Sequence, residues 1–236
     1  MQPLFTVLHH DHHEQKGGDI EDGHIPTHAS DSSLHLLHRP VSIIANPSPA
    51  GVISFASTSF ILSMYNINAA GVHTPNIVLG MAIFAGGILQ FIAGMWQFPR
   101  GDVYSATVFS TYGTFWMSWA VIQLPGTGVL AAYTDERELG HALGIFLITW
   151  FIVTLIFIVA VIRRNLTFII LLSVLAVSFL LLSLGEFTGN VSFTKAGGAT
   201  GILNAAIAYY VAVSDLLAAE AKPIIVLPQG VWYENN

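Results

Sequence analysis

The stretch His141–Ile162 reads HALGIFLITWFIVTLIFIVAVI, and from Leu143 to Ile162 it holds no charged residue. As an α-helix this length rises about 33 Å, which matches the hydrocarbon thickness of a bilayer. A helix of a soluble bundle carries a polar face rich in Lys and Glu, and none is present here. The stretch reads as a membrane span. Working outward, five more segments repeat the pattern: Pro47–Met64, Ile77–Phe98, Asp102–Gln123, Thr167–Leu184 and Ala196–Leu217. Each spans roughly 27–33 Å as a helix. The whole chain agrees with this reading. Of 236 residues, 53% are hydrophobic and 9% charged, with a mean hydropathy of +0.65. A soluble domain carries about 25% charged residues.

The expected fold is therefore an all-α membrane protein, six transmembrane helices in a compact bundle. Its expected parts are a cytoplasmic tail over 1–46, a transport domain over 47–220 and a short C-terminal tail over 221–236. Orientation follows from Lys and Arg. With both termini cytoplasmic, that side receives Lys16, Arg39, Arg100, Arg163, Arg164 and Lys222, and the other side only Arg137 and Lys195. Cationic loops favour the inside. The first 46 residues hold eight of the ten histidines and six of the fourteen acids, and they lack a signal-peptide pattern. Such a segment buries too little apolar surface to fold alone and reads as a disordered arm. Its His9, His10, His12 and His13 are competent metal ligands, but a solvated tail is the plainer reading.

Several function classes fall away. The formal charge of −6 leaves no basic surplus for nucleic acid. The absence of cysteine removes disulfides and thiolate metal sites. The spans hold no mid-membrane Lys or Arg, no paired carboxylates and no catalytic motif, so neither an enzyme, a resident cofactor nor a pump built on buried acids is expected.

What remains is neutral polarity. Asn46-Pro47-Ser48-Pro49-Ala50-Gly51 opens the first span. Asn46 is a strong N-cap, and a helix start offers free amide donors to a carboxylate. Two close prolines suggest an irregular entry, tolerated where it lines protein or water. Gly80, Gly87 and Gly94 recur every seven residues and read as one packing stripe. Gln90 lies inside the same span, where an amide finds a partner or meets a solute. Thr107, Thr111, Thr114 and Ser118 share one helix face, and Ser54, Ser57, Thr58, Ser59 and Ser63 crowd the first span. Bonding back to the helix accounts for part of this. The other reading is a path lined by hydroxyls.

These motifs, in this order, resemble a family. Asn46–Gly51 is similar to the Asn-Pro-x-Pro-Leu-Gly-Leu signature of the acetate uptake transporters, which include bacterial succinate–acetate permeases and fungal acetate transporters. The resemblance continues through Gly86-Gly87-x-x-Gln90, Ala93-Gly94, Gly101, Phe109-Ser110-Thr111-Tyr112-Gly113-Thr114-Phe115-Trp116, Gly185, Gly189-Asn190 and Ala196-Gly197. It covers about residues 46–225. It implies a plasma-membrane homo-hexamer with one path per protomer for acetate and small carboxylates. It places a pore constriction on Phe55, Tyr112 and Leu175, with Tyr112 able to donate a hydrogen bond to the solute. Substrate contacts fall on Asn46, Pro47, Pro49, Thr58, Gln90 and Thr111. Ala50 and Val52 stand where the signature has leucine, Gln97 where members commonly have Glu, and Asp102 where they have Asn. A non-transporting sensor or scaffold of the same fold, and a channel for water or neutral solutes, are the competing expectations.

Overall fold

The computed structural model describes residues 44–230. The His-rich arm, with His9, His10, His12 and His13, lies outside them. Among the described residues the protein is all-helical, with no β-strand and six long helices beside three single 3-10 turns: α1 (Ser48–Asn66), α2 (Val78–Gln97), α3 (Val103–Gln123), α4 (Glu136–Val161), α5 (Leu166–Thr188) and α6 (Val191–Ala218). Four of them, α2, α4, α5 and α6, are long and apolar enough to cross a membrane. The hydroxyls of α1 and α3 make those two helices less apolar. Ile145, Ile152, Ile156 and Val159 of α4 stand exposed on the outside, as side chains facing lipid do.

Helix ends lie where capping residues put them rather than where the apolar windows stop. Asp135 accepts from Arg137 N–H at 2.9 Å and starts α4 before His141. Asn190 accepts from Ser192 N–H at 2.9 Å and starts α6 before Ala196. Asn165 accepts from Thr167 N–H at 2.8 Å and from Phe168 N–H at 3.3 Å. A cap satisfies amides that the first turn leaves without partners. At α1 the expectation is corrected. Pro47, with φ −82°, is the N-cap, and the helix begins at Ser48. Asn46 sits one position earlier, its Oδ1 accepting from Ser48 N–H at 3.1 Å. Pro49 falls in the first turn, where a missing N–H costs nothing, so the entry is a regular helix start.

α1 packs along α6 and against α2; α2 packs on α3, and α4, α5 and α6 follow one another side by side. Small residues set the close approaches. A methyl at Gly94 would lie 2.5 Å from Ser110 N, and one at Gly198 would lie 2.9 Å from Ser63 O. The seven-residue glycine stripe does not hold together. Residues Phe84–Leu89 form a π-helical segment, whose wider turn shifts the register of everything after it. Gly87 and Gly94 therefore meet neighbours inside the protomer, whereas a methyl at Gly80 would meet nothing within 4 Å.

The chain beyond α6 returns to the bundle. Tyr210 Oη donates to Pro228 O at 2.6 Å, and Ser214 Oγ to Leu227 O at 2.8 Å. Gln229 accepts from Asn165 Nδ2 at 3.0 Å and donates to Asp215 Oδ1 at 2.6 Å. Leu166 N–H donates to Gly230 O at 3.0 Å. Residues 227–230 thus strap the start of α5 to the end of α6.

Candidate functional site: a pinched path between the helices

Phe55 of α1, Tyr112 of α3 and Leu175 of α5 converge in the middle of the bundle, each at least 93% buried. The Phe55 and Tyr112 ring centroids lie 6.0 Å apart. Phe157 meets Tyr112 edge-on at 5.7 Å, which locks the phenol from the α4 side. Two cavities meet at this point. The larger, of about 240 Å³, runs from Phe55 and Leu175 to Asn66, Gln123, Glu186 and Thr194. The smaller, of about 20 Å³, shares Phe55 and Leu175 and adds Tyr112 and Gln90. It has room for about one water molecule.

Tyr112 is not a free donor. Thr154 Oγ1 donates to Trp150 O at 2.7 Å, so in the 2.9 Å contact between the hydroxyls the hydrogen belongs to Tyr112. In this arrangement the phenol hydrogen points to Thr154 rather than into the cavity.

The remaining expected contacts divide. Gln90, 1% exposed, faces the small cavity, and its Oε1 has no hydrogen-bond partner. Thr58 is fully buried but lines neither cavity; its hydroxyl donates to Ser54 O at 2.9 Å and packs where Gly86 passes. Thr111 is half-buried and also lines neither. The hydroxyl face of α3 looks away from the path. Thr107, Thr114 and Ser118 are exposed, and each bonds back to its own helix, at 2.8, 2.6 and 2.7 Å. Asn46, Pro47 and Pro49 lie together at the start of α1, outside both cavities.

That helix start is tied into a polar end of the bundle. The buried Gln97 donates from Nε2 to Ser48 Oγ at 2.6 Å and to Asn46 Oδ1 at 3.4 Å. Arg100 donates to Ile44 O. Asp102 sits just before α3, where Ser105 Oγ donates to it at 2.6 Å and Arg164 at 3.1 Å. Burial pushes the Asp102 carboxyl up, but the Ser105 bonds and the Arg164 charge prevail and hold it below its ordinary value.

Sequence reading gave no site role to two residues, one of which, Trp116, it quoted only inside a motif. Asn204 of α6 is 0% exposed and Trp116 of α3 is 3% exposed; both line the large cavity. Both Asn204 amide atoms and Trp116 Nε1 lack partners. An unsatisfied buried polar group costs about 1–3 kcal/mol. The signal was present, since Asn204 is a lone amide in an apolar span. Among the described residues no group of three His, Asp or Glu side chains is placed to hold a metal.

Apolar helices around a pinched internal path define a membrane transport protein. Comparison with known proteins specifies which kind. The chain belongs to the GPR1/FUN34/yaaH family, whose model matches residues 31–230. It is 41% identical over 194 residues to Ammonia transport outward protein 2 of Saccharomyces cerevisiae, covering 82% of this chain and 69% of that one. It is 36% identical over 195 residues to Acetate permease A of Emericella nidulans, covering 78% and 65%. Among solved structures it matches the bacterial acetate channel SatP, with a TM-score of 0.70 and 28% identity over 79% of this chain and 99% of that one.

Proposed function

We propose that this chain is a permease for acetate and similar short-chain carboxylates, with one path through each protomer and Phe55, Tyr112 and Leu175 as its constriction. The observation that supports this most is the drop in cavity size, from about 240 to about 20 Å³, across Phe55 and Leu175. An apolar pinch of this kind gates by dewetting, and its width selects what passes. Relatives named as an acetate permease and an acetate channel supply the substrate class.

In this reading all six helices span the plasma membrane, both termini are cytoplasmic, and six protomers assemble. Residues 47–220 form the transport domain, flanked by the tails 1–46 and 221–236. Gln90 meets solute at the pinch, while Asn46, Pro47 and Pro49 form the cytoplasmic mouth. No catalytic step is involved. The test is uptake of labelled acetate into proteoliposomes holding the full chain. Saturable uptake competed by other short acids is expected; uptake no faster than in protein-free vesicles would overturn the proposal. A second reading, passage of small neutral solutes such as ammonia, is favoured by the small cavity, whose only polar side chains among the described residues are Gln90 and Tyr112. Flux of ammonia or water that acetate does not inhibit would favour it.

A further inference from the structure

The two cavities hold buried polar atoms of both kinds without partners, the donors Asn204 Nδ2 and Trp116 Nε1 as well as two acceptors. Asn204 Oδ1 on one side of Phe55 and Leu175, and Gln90 Oε1 on the other, are buried acceptors without a donor. Among the described residues the sole carboxyl side chain lining either cavity is Glu186, a further acceptor when charged. A carboxylate anion is acceptor-only, so it brings no hydrogen to any of these oxygens. Among the described residues no Lys, Arg or His lines either cavity, so only neutral donors are there to offset its lost hydration. The undissociated acid differs in one atom. Its O–H donates.

We propose that Asn204 and Trp116 form a docking subsite for the undissociated carboxylic acid, on the wide side of the pinch. The inference rests on the permease reading. The Asn204 side chain and a carboxylic acid are complementary in both directions: the acid O–H donates to Oδ1, and Nδ2–H donates to the acid carbonyl, closing a ring of two hydrogen bonds. Trp116 Nε1–H supplies a further donor to the same carbonyl, which has two lone pairs. The acid's alkyl group then faces Phe55 and Leu175. Beyond the pinch, Gln90 Oε1 accepts a hydrogen bond from the acid O–H, which keeps its proton.

The test uses the purified full-length chain and three probes: acetamide, a neutral donor and acceptor; methanesulfonate, a permanent anion; and methylammonium, a cation with donors only. Binding is read from tryptophan fluorescence, and transport from inhibition of labelled acetate uptake in proteoliposomes. Acetamide is expected to bind and inhibit at concentrations at least tenfold below the other two. Asn204→Leu should raise its half-inhibitory concentration at least tenfold. Equal potency of methanesulfonate or methylammonium would overturn the proposal, as would undiminished acetamide inhibition in an assembled Asn204→Leu. Should that variant fail to assemble, the ranking of the three probes on the unaltered chain decides. Acetate uptake without acetamide binding would sink the subsite alone, whereas acetamide binding without acetate uptake would sink the permease reading alone.

Discussion

Removing either member of the Tyr112–Thr154 pair should have unequal consequences, and the difference follows from which hydroxyl gives the hydrogen. Tyr112 donates to Thr154, and Thr154 donates to Trp150 O. Tyr112→Phe deletes the donor but leaves Thr154 bonded to the backbone, so the loss is that of one ordinary hydrogen bond, about 0.5–1.5 kcal/mol. Thr154→Val, nearly the same shape, instead strands a phenol that is 2% exposed. That costs about 1–3 kcal/mol. Carrying both changes removes donor and acceptor together and should restore most of the difference. For a chain of this length each kcal/mol shifts the melting temperature by about 2–4 °C. Thermal unfolding in detergent, followed by tryptophan fluorescence, reads the order: Thr154→Val lowest, Tyr112→Phe close to the unaltered chain, the double variant between them. Acetate uptake per assembled Tyr112→Phe protein should stay within about threefold, because the lost hydrogen was never offered to the solute. A neutral Thr154→Val beside a strongly destabilised Tyr112→Phe would reverse the assigned donor. A loss of flux beyond tenfold in stable Tyr112→Phe would return the phenol to the solute.

Phe55→Ala should join the two cavities and raise uptake of succinate or lactate relative to acetate; an unchanged size ranking over a panel of labelled acids would place the selecting pinch elsewhere. Gly94→Leu should aggregate or lower the melting temperature by several degrees, since even a methyl there meets Ser110 N at 2.5 Å, whereas Gly80→Leu should melt like the unaltered chain. Asp102 has its carboxyl held below the unfolded value, so its contribution to stability is present above that value and is lost as pH falls through the folded one. Melting curves across acid pH should therefore flatten in Asp102→Asn, and an unchanged pH profile would mean that neither the Ser105 bonds nor the Arg164 contact favours the charged carboxyl.

The helices were legible because lipid demands long apolar runs, and such runs survive any uncertainty about how helices rotate. Rotation itself was not legible. The hydroxyls of α3 lie on one face as their spacing says, yet nothing in that spacing tells whether the face looks at the path or away from it. The π-helical segment was equally silent, since Gly86 and Gly87 permit a widened turn without demanding one. It is this turn that breaks the glycine stripe. Phe55, Tyr112 and Leu175 were named through motif resemblance rather than periodicity, and the fold does bring the three together. Asn204 was passed over because it belongs to no motif. Gln97, noticed only as a departure from Glu, joins α2 to the start of α1 through hydrogen bonds that no spacing rule connects.

The strap over residues 227–230 turns the last helical hairpin into a closed frame. At one end α5 and α6 are joined by the two-residue turn Gly189-Asn190; at the other, Asn165 and Leu166 are laced through Gln229 and Gly230 back to Asp215 and Ser214. A hairpin held at one end opens like tongs, but a frame held at both ends has no such freedom. Leu175 sits on this frame, while Phe55 and Tyr112 sit on helices outside it. Widening the pinch from the α5 side then means tilting α5 and α6 as one plate, or first undoing the lacing. Whatever pulls on the end of the chain pulls on the same few bonds that hold the plate rigid.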